Sequence, residues 1–283
     1  MTMTLKTKVA TKKRGLMLET TVQIDRIAGD FKRREKTISG LYNRPLFTTS
    51  FVFREFLRTI ITDIIFVHDA VEKIEPKLDT RVALSNLLAF LGSGQGNFSA
   101  RSAQRQKYIL AEIVDFFGEV RIDRRRLLDM LERLVEQWID DFFEVTYKDG
   151  KEREVKCLKT LDEPGDLDKL KRCNPFPPKP AFPARAATFL DKHKLKVQLA
   201  EKAIKESKRR KREVSLLTVL EKLKNEKNEY DFLNKLKPTT RGNWHLGDLL
   251  IALETHPSLA LYTTDGLFEI ICPVFGKECY LYK

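Results

Sequence analysis

Two short apolar runs, one near each end of the 283-residue chain, close on a carboxylate flanked by threonine: Leu16-Met17-Leu18-Glu19-Thr20-Thr21 and Leu259-Ala260-Leu261-Tyr262-Thr263-Thr264-Asp265. Both runs are short enough to read as strands, each ending at its acid. A carboxylate at the C-terminal end of a strand projects into the crevice where open α/β sheets bind ligands. Two further segments bring acids to the starts of helices. Pro45-Leu46-Phe47-Thr48-Thr49-Ser50 feeds an apolar helix, with Ser50 as the expected N-cap and Glu55 on its first or second turn. In Leu246-Gly247-Asp248-Leu249-Leu250, Asp248 opens a second apolar helix, with His245 and Trp244 just before it. Strand ends and helix starts are places where side chains from distant parts of a chain converge. Four acids gathered at one point repel one another, and a divalent metal is the natural counter-charge. On the residues alone, the alternative that each acid is a cap or a surface group stays open.

Charge divides the chain. Fifty-two Lys and Arg against forty Asp and Glu give +12. Residues 1–15 carry five basic groups and no acid, and residues 16–144 are nearly neutral. Residues 145–241 hold 26 basic and 15 acidic groups, net +11, while residues 242–283 carry net −3. This imbalance excludes an acidic solvating protein and points to a polyanionic partner. The run Lys208-Arg209-Arg210-Lys211-Arg212, with Arg241 further on, suits tracking of a phosphate backbone, although a solvated amphipathic helix pair also accounts for it. No apolar run reaches the ~18 residues of a membrane span. The basic start lacks the apolar segment of a signal peptide. Four cysteines without paired spacing make no disulfide framework or zinc site, so a reducing, cytoplasmic setting is the expectation.

Between the acidic segments the pattern is mostly helical. Helices are expected over residues 50–70 and 80–91, then in a long pair after the Gly-rich connector at 92–96, which lacks the Lys-Ser/Thr of a phosphate loop. Asp149-Gly150, between two alternating stretches, reads as a β-hairpin turn. Five prolines within residues 175–184 argue against a helix there. From about Thr188 the pattern turns helical again, with Leu195, Leu199, Ala203 and Ile204 as its apolar face. His68, His193 and His256 show no metal-ligand spacing.

The blocks LMLETTVQIDRI, TTSFVFREFLRTI, GDLLIALE and LALYTTDGLF resemble the four motif blocks of the PIN domain. PIN domains are small α/β nucleases, many of them toxins of bacterial toxin–antitoxin modules. The resemblance covers residues 16–70 and 239–283. It implies an α/β, three-layer fold with a central parallel sheet, strand order near 3-2-1-4-5. That core is interrupted by a helical extension at 71–144 and a basic, mostly helical insertion at 145–238, and is preceded by a basic tail at 1–15. It further implies that Glu19, Glu55, Asp248 and Asp265 form the catalytic set. Glu19, Asp248 and Asp265 would hold Mg²⁺ or Mn²⁺, with Thr20, Thr264 and His245 as accessory groups. The implied activity is endoribonuclease cleavage of single-stranded RNA, RNA being favoured over DNA, with Lys208, Arg209, Arg210, Lys211, Arg212 and Arg241 on the backbone. A protein partner such as an antitoxin, a homodimer, and a role in a toxin–antitoxin or defence system all remain open; a membrane partner is not expected. The first block of the family usually ends in Asp, and here it ends in Glu19. That departure leaves an alternative: a catalytically weakened PIN-like fold that binds RNA or a protein as a scaffold.

Overall fold

The computed structural model describes residues 14–41, 44–73, 80–92, 100–117, 122–146, 152–158, 181–207 and 246–282. Six strands form one sheet: β1 (Leu16–Leu18), β2 (Leu46–Thr49), β3 (Glu144–Thr146), β4 (Glu152–Leu158), β5 (Ala260–Thr263) and β6 (Glu278–Leu281). Their order is β3-β4-β2-β1-β5-β6, with β3 antiparallel to β4 and all other neighbours parallel. Counted alone in chain order, the five parallel strands run 3-2-1-4-5, the order expected above. β1 lies at the centre and all three of its side chains are buried, as a parallel strand covered on both faces requires. Leu16 and Leu18 join Leu41, Leu46, Val155 and Ala260 on one face, while Met17 enters the larger core on the other. Both faces are therefore covered, the arrangement of an α/β sandwich.

The larger core is built around α3 (Ser50–Glu72), which leaves β2 without a loop. Its N-cap is Thr49, not Ser50 as expected: Thr49 Oγ1 accepts from Val52 N at 3.3 Å, and Ser50 is already helical. α1 (Thr20–Ala28) packs on α3 and lends Ile24, Ile27 and Ala28 to the same cluster, while α2 (Phe31–Leu41) lends Leu41 to the smaller one. The helices α4 (Thr80–Gly92), α5 (Ala100–Phe117) and α6 (Arg124–Phe143) do not form a core of their own. Ile109, Ile113, Trp138 and Phe142 belong to the same apolar cluster as Phe51, Phe53 and Phe56 of α3, and Phe53 stacks 4.9 Å from the rings of both Phe142 and Phe143. A buried ion pair adds specificity. Asp63 of α3 accepts from Arg105 Nε at 2.5 Å, from Gln106 Nε2 at 3.0 Å and from the Ser102 hydroxyl, all on α5.

Three expectations need correction. The two strands flanking Asp149-Gly150 pair antiparallel, Glu144 opposite Glu154 and Thr146 opposite Glu152, while the turn itself lies outside the described residues. The second strand, however, is part of the central sheet, with Leu46 opposite Val155 and Thr49 opposite Leu158. The core therefore reaches into the segment assigned to the basic insertion. Second, α7 (Ala181–Lys192) starts inside the proline-rich stretch and includes Pro183. A first-turn proline removes an N–H that has no helical acceptor anyway, so it is tolerated there. Third, α8 (Lys194–Glu206) buries Val197, Ala200 and Ile204, whereas Leu195 and Leu199 are 77% and 56% exposed. The chain then returns through α9 (Leu246–Glu254), β5, α10 (Phe268–Val274) and β6. Lys277 Nζ donates to the carbonyls of Ala252 and Leu253 at 2.6 Å each, and to that of Thr255, closing the C-terminal end of α9.

Candidate functional site

β1 and β5 are adjacent parallel strands in a register that sets Leu18 beside Tyr262. Glu19, which follows β1, and Thr264-Asp265, which follow β5, thus emerge together at the carboxyl edge of the sheet. Glu19 keeps an extended backbone and donates its N–H to Tyr262 O at 3.3 Å. Its side chain caps α1, with Oε2 accepting from Thr21 N at 3.2 Å. Oε1 accepts from Thr264 N at 3.3 Å and, at the long limit of 3.5 Å, from the Thr264 hydroxyl. The residue is 4% exposed. Burial pushes its pKa up to about 7. The amides of Thr21 and Thr264 pull the other way, and the negative charges of Glu55 and Asp265 raise it further. A carboxyl group at that value is close to half-ionised at neutral pH.

Glu55 lies on the second turn of α3, and its carboxylate accepts a hydrogen bond from the Thr20 hydroxyl on the first turn of α1. Asp265 is fixed by the turn into α10: its N–H donates to Thr263 Oγ1 at 2.9 Å and its Oδ1 accepts from Leu267 N at 2.8 Å. Threonines thus orient each of the three acids. Thr263, readable from sequence as an ordinary strand residue, holds the Asp265 backbone. Asp248 is half-buried in the first turn of α9, whose Gly247 lies against Phe51 of α3. The structure brings Glu55 and Asp265 each within electrostatic reach of Glu19 and places Asp248 on α9, which packs against α3.

The basic side of the site comes from a residue that the sequence reading passed over. Arg101, in the first turn of α5, donates from Nη2 to Thr264 Oγ1 at 3.3 Å and lies 3.8 Å from Asp25 Oδ2. Asp25 is buried on α1, and its pKa is raised by desolvation and pulled down chiefly by Arg101. The only signal for Arg101 in the sequence was a lone arginine after a Gly-rich connector. The expected backbone contacts Lys208, Arg209, Arg210, Lys211, Arg212 and Arg241, and the accessory His245, lie outside the described residues.

Among the described residues no three His, Cys, Asp or Glu side chains draw together as a metal-holding group. The donor chemistry nevertheless suits a hard divalent cation. The three acids offer only oxygens, the donor type that such a cation takes. No helix among the described residues is long and apolar enough to cross a membrane. No family model, curated protein or solved structure matches the chain.

Proposed function

We propose that this chain is a PIN-like, metal-dependent phosphodiesterase that cleaves single-stranded RNA. One observation carries the reading: Glu19, at the carboxyl end of the central parallel strand, is buried beside the end of β5, where Thr264 binds its carboxylate and Asp265 follows, and burial raises its pKa to about 7. Open α/β sheets bind ligands at that edge, and a buried acid with a raised pKa beside charged neighbours is a candidate for chemistry. The strand order and the four sequence blocks add support. Glu19, Asp265 and, from α9, Asp248 are the residues that would hold Mg²⁺ or Mn²⁺. When bound, such a cation supplies charge neutralisation at the phosphate and a more acidic water.

The chain's own groups have separable tasks in this reading. Thr264 and the Thr21 amide fix the Glu19 carboxylate, so its oxygens do not have to reorganise when a ligand arrives. Thr20 fixes Glu55, which would orient a water in this reading. Asp265, locked by the turn into α10, presents its second oxygen. The basic segment at 145–241 supplies longer-range attraction for the nucleic acid. A cytoplasmic setting and a place in a toxin–antitoxin or defence system belong to the same reading.

The test is cleavage of labelled single-stranded RNA, with DNA beside it, in Mg²⁺ or Mn²⁺. Cutting that disappears both in EDTA and in Asp265→Asn supports the proposal. One feature favours a scaffold instead: both Glu19 oxygens already accept hydrogen bonds. RNA binding without cutting in either metal would establish that second reading.

A further inference from the structure

We propose that Arg101 is a phosphate-binding residue of this site, reaching the scissile or the adjacent phosphate of the RNA from outside the four sequence blocks. The inference rests on the reading above and assigns the substrate's backbone a specific partner. Its basis is a chain of contacts across three elements. The Arg101 guanidinium donates to Thr264 Oγ1, and the Thr264 hydroxyl donates in turn to Glu19. One hydroxyl has one proton and two lone pairs, so it can serve both contacts at once. Arg101 is therefore one side chain removed from the buried carboxylate.

A bland alternative is that Arg101 only neutralises Asp25. A comparison within α5 argues against it. Arg105, four residues on, forms a closed pair with Asp63 at 2.5 Å with both side chains buried. Arg101 approaches Asp25 only to 3.8 Å, and its side chain remains 41% exposed. Both contacts use Nη2, and a guanidinium carries five N–H donors in a planar fork that matches phosphate oxygens. Asp25 and Thr264 engage one terminal nitrogen of that fork, and the side chain as a whole keeps 41% of its surface exposed. That exposure leaves donors of the guanidinium within reach of a phosphate, which the closed Arg105 pair does not. The location also answers an electrostatic need. A polyanion approaching the acids of the site meets like charge, and a cation bonded to Thr264, itself a partner of Glu19, offsets part of that repulsion without occupying a metal position.

The experiment compares wild type, Arg101→Ala, Arg101→Lys, Asp25→Asn and the double variant Asp25→Asn/Arg101→Ala in two assays. The first is cleavage of labelled single-stranded RNA in Mn²⁺. The second is binding of the same RNA in EDTA, followed by fluorescence anisotropy across a salt series. Thermal melts check folding of every variant. Arg101→Ala is expected to lower the cleavage rate on the order of 10- to 100-fold, the scale of one lost oxyanion donor or somewhat less. It is also expected to reduce the slope of log affinity against log salt by about 0.7, one phosphate contact on a single strand. Arg101→Lys should keep the salt slope and recover only part of the rate, because an ammonium lacks the fork. The double variant should remain impaired. Recovery of cleavage and salt slope in the double variant would mean that Arg101 serves only Asp25, and would overturn the inference. So would an Arg101→Ala protein that cuts at the wild-type rate, in which case the nuclease reading survives. If wild type does not cut, that reading fails by itself, and the binding arm decides Arg101: an unchanged salt slope in Arg101→Ala overturns it, and a reduced one sustains it.

Discussion

At the scale of single residues, Glu19 carries opposed demands. It caps α1, it is buried, and two other acids face it. Its folded-state pKa of about 7 stands above the ordinary 4.5, so the folded protein holds a proton that the unfolded chain releases between those values. The contribution of this group to stability is therefore complete below pH 4.5, falls as pH rises towards 7, and is level above that. The shift corresponds to roughly 3 kcal/mol at 1.36 kcal/mol per pKa unit. Glu19→Gln keeps a capping oxygen and removes the charge, so it should stabilise the protein by about 1–3 kcal/mol at pH 8 and by much less at pH 5. Urea midpoints at the two pH values check this, and an equal effect at both would mean that Glu19 ionises normally. The same proton competes with a cation. Mn²⁺ affinity should fall by up to about tenfold per pH unit below 7 and level off above it, since ligating carboxylates must be deprotonated. Titration calorimetry at pH 6, 7 and 8 reads it directly. Glu19 and Asp265 were legible in the sequence because an apolar run that stops at an acid is a local pattern. Arg101 and Asp25 were not, because their partnership joins α5 to α1 and leaves no periodic or spaced trace.

At the scale of elements, the helices between the acidic blocks are held to the core by polar devices as well as by apolar burial. Arg26 of α1, 1% exposed, donates from Nη2 to the carbonyls of Asp141 at 2.8 Å and Phe142 at 2.7 Å, the end of α6. A cation at the C-terminal end of a helix answers both its unpaired carbonyls and its dipole. From there α6 runs straight into β3, so this contact also sets where the hairpin delivers β4 to the sheet. The pair Asp63–Arg105 does the equivalent for α3 and α5. Removing one partner from a buried pair leaves the other uncompensated, so Asp63→Ala should cost about 3–5 kcal/mol. The double change Asp63→Leu with Arg105→Met should cost clearly less, and chemical denaturation of the three proteins separates the two cases. The sequence placed these helices well, since each presents a long 3.6-residue stripe. It mis-phased α8 because two interleaved stripes are available there, and the bulkier Leu195 and Leu199 suggested the wrong one. Packing against α10 selects Val197, Ala200 and Ile204. β4 was likewise readable as half of a hairpin, while its parallel pairing with β2, over 100 residues away in the chain, was not.

At the scale of the whole molecule, the acidic site and the positive charge occupy different parts of the sequence. Residues 16–144 and 242–283 together are net negative, while residues 145–241 carry +11. A polyanion drawn to the protein by its overall +12 would thus be held mainly by groups other than those that act on it, a separation with a kinetic signature. Replacing Lys208, Arg209, Arg210, Lys211 and Arg212 together by Gln removes five positive charges. If each meets one phosphate, the slope of log affinity against log salt should shrink by about 0.7 per contact, to a total of roughly 3.5 on single-stranded RNA. Affinity should weaken steeply at low salt and little at high salt, where counterions already screen the phosphates. The cleavage rate at saturating RNA should stay near that of wild type, because interactions made equally with substrate and transition state change KM and leave kcat alone. Arg101→Ala should behave in the opposite way, with a small change in salt slope and a large loss in kcat. An unchanged salt slope in the five-fold variant would detach that run from the nucleic acid and leave the remaining basic groups of 145–241 to account for binding.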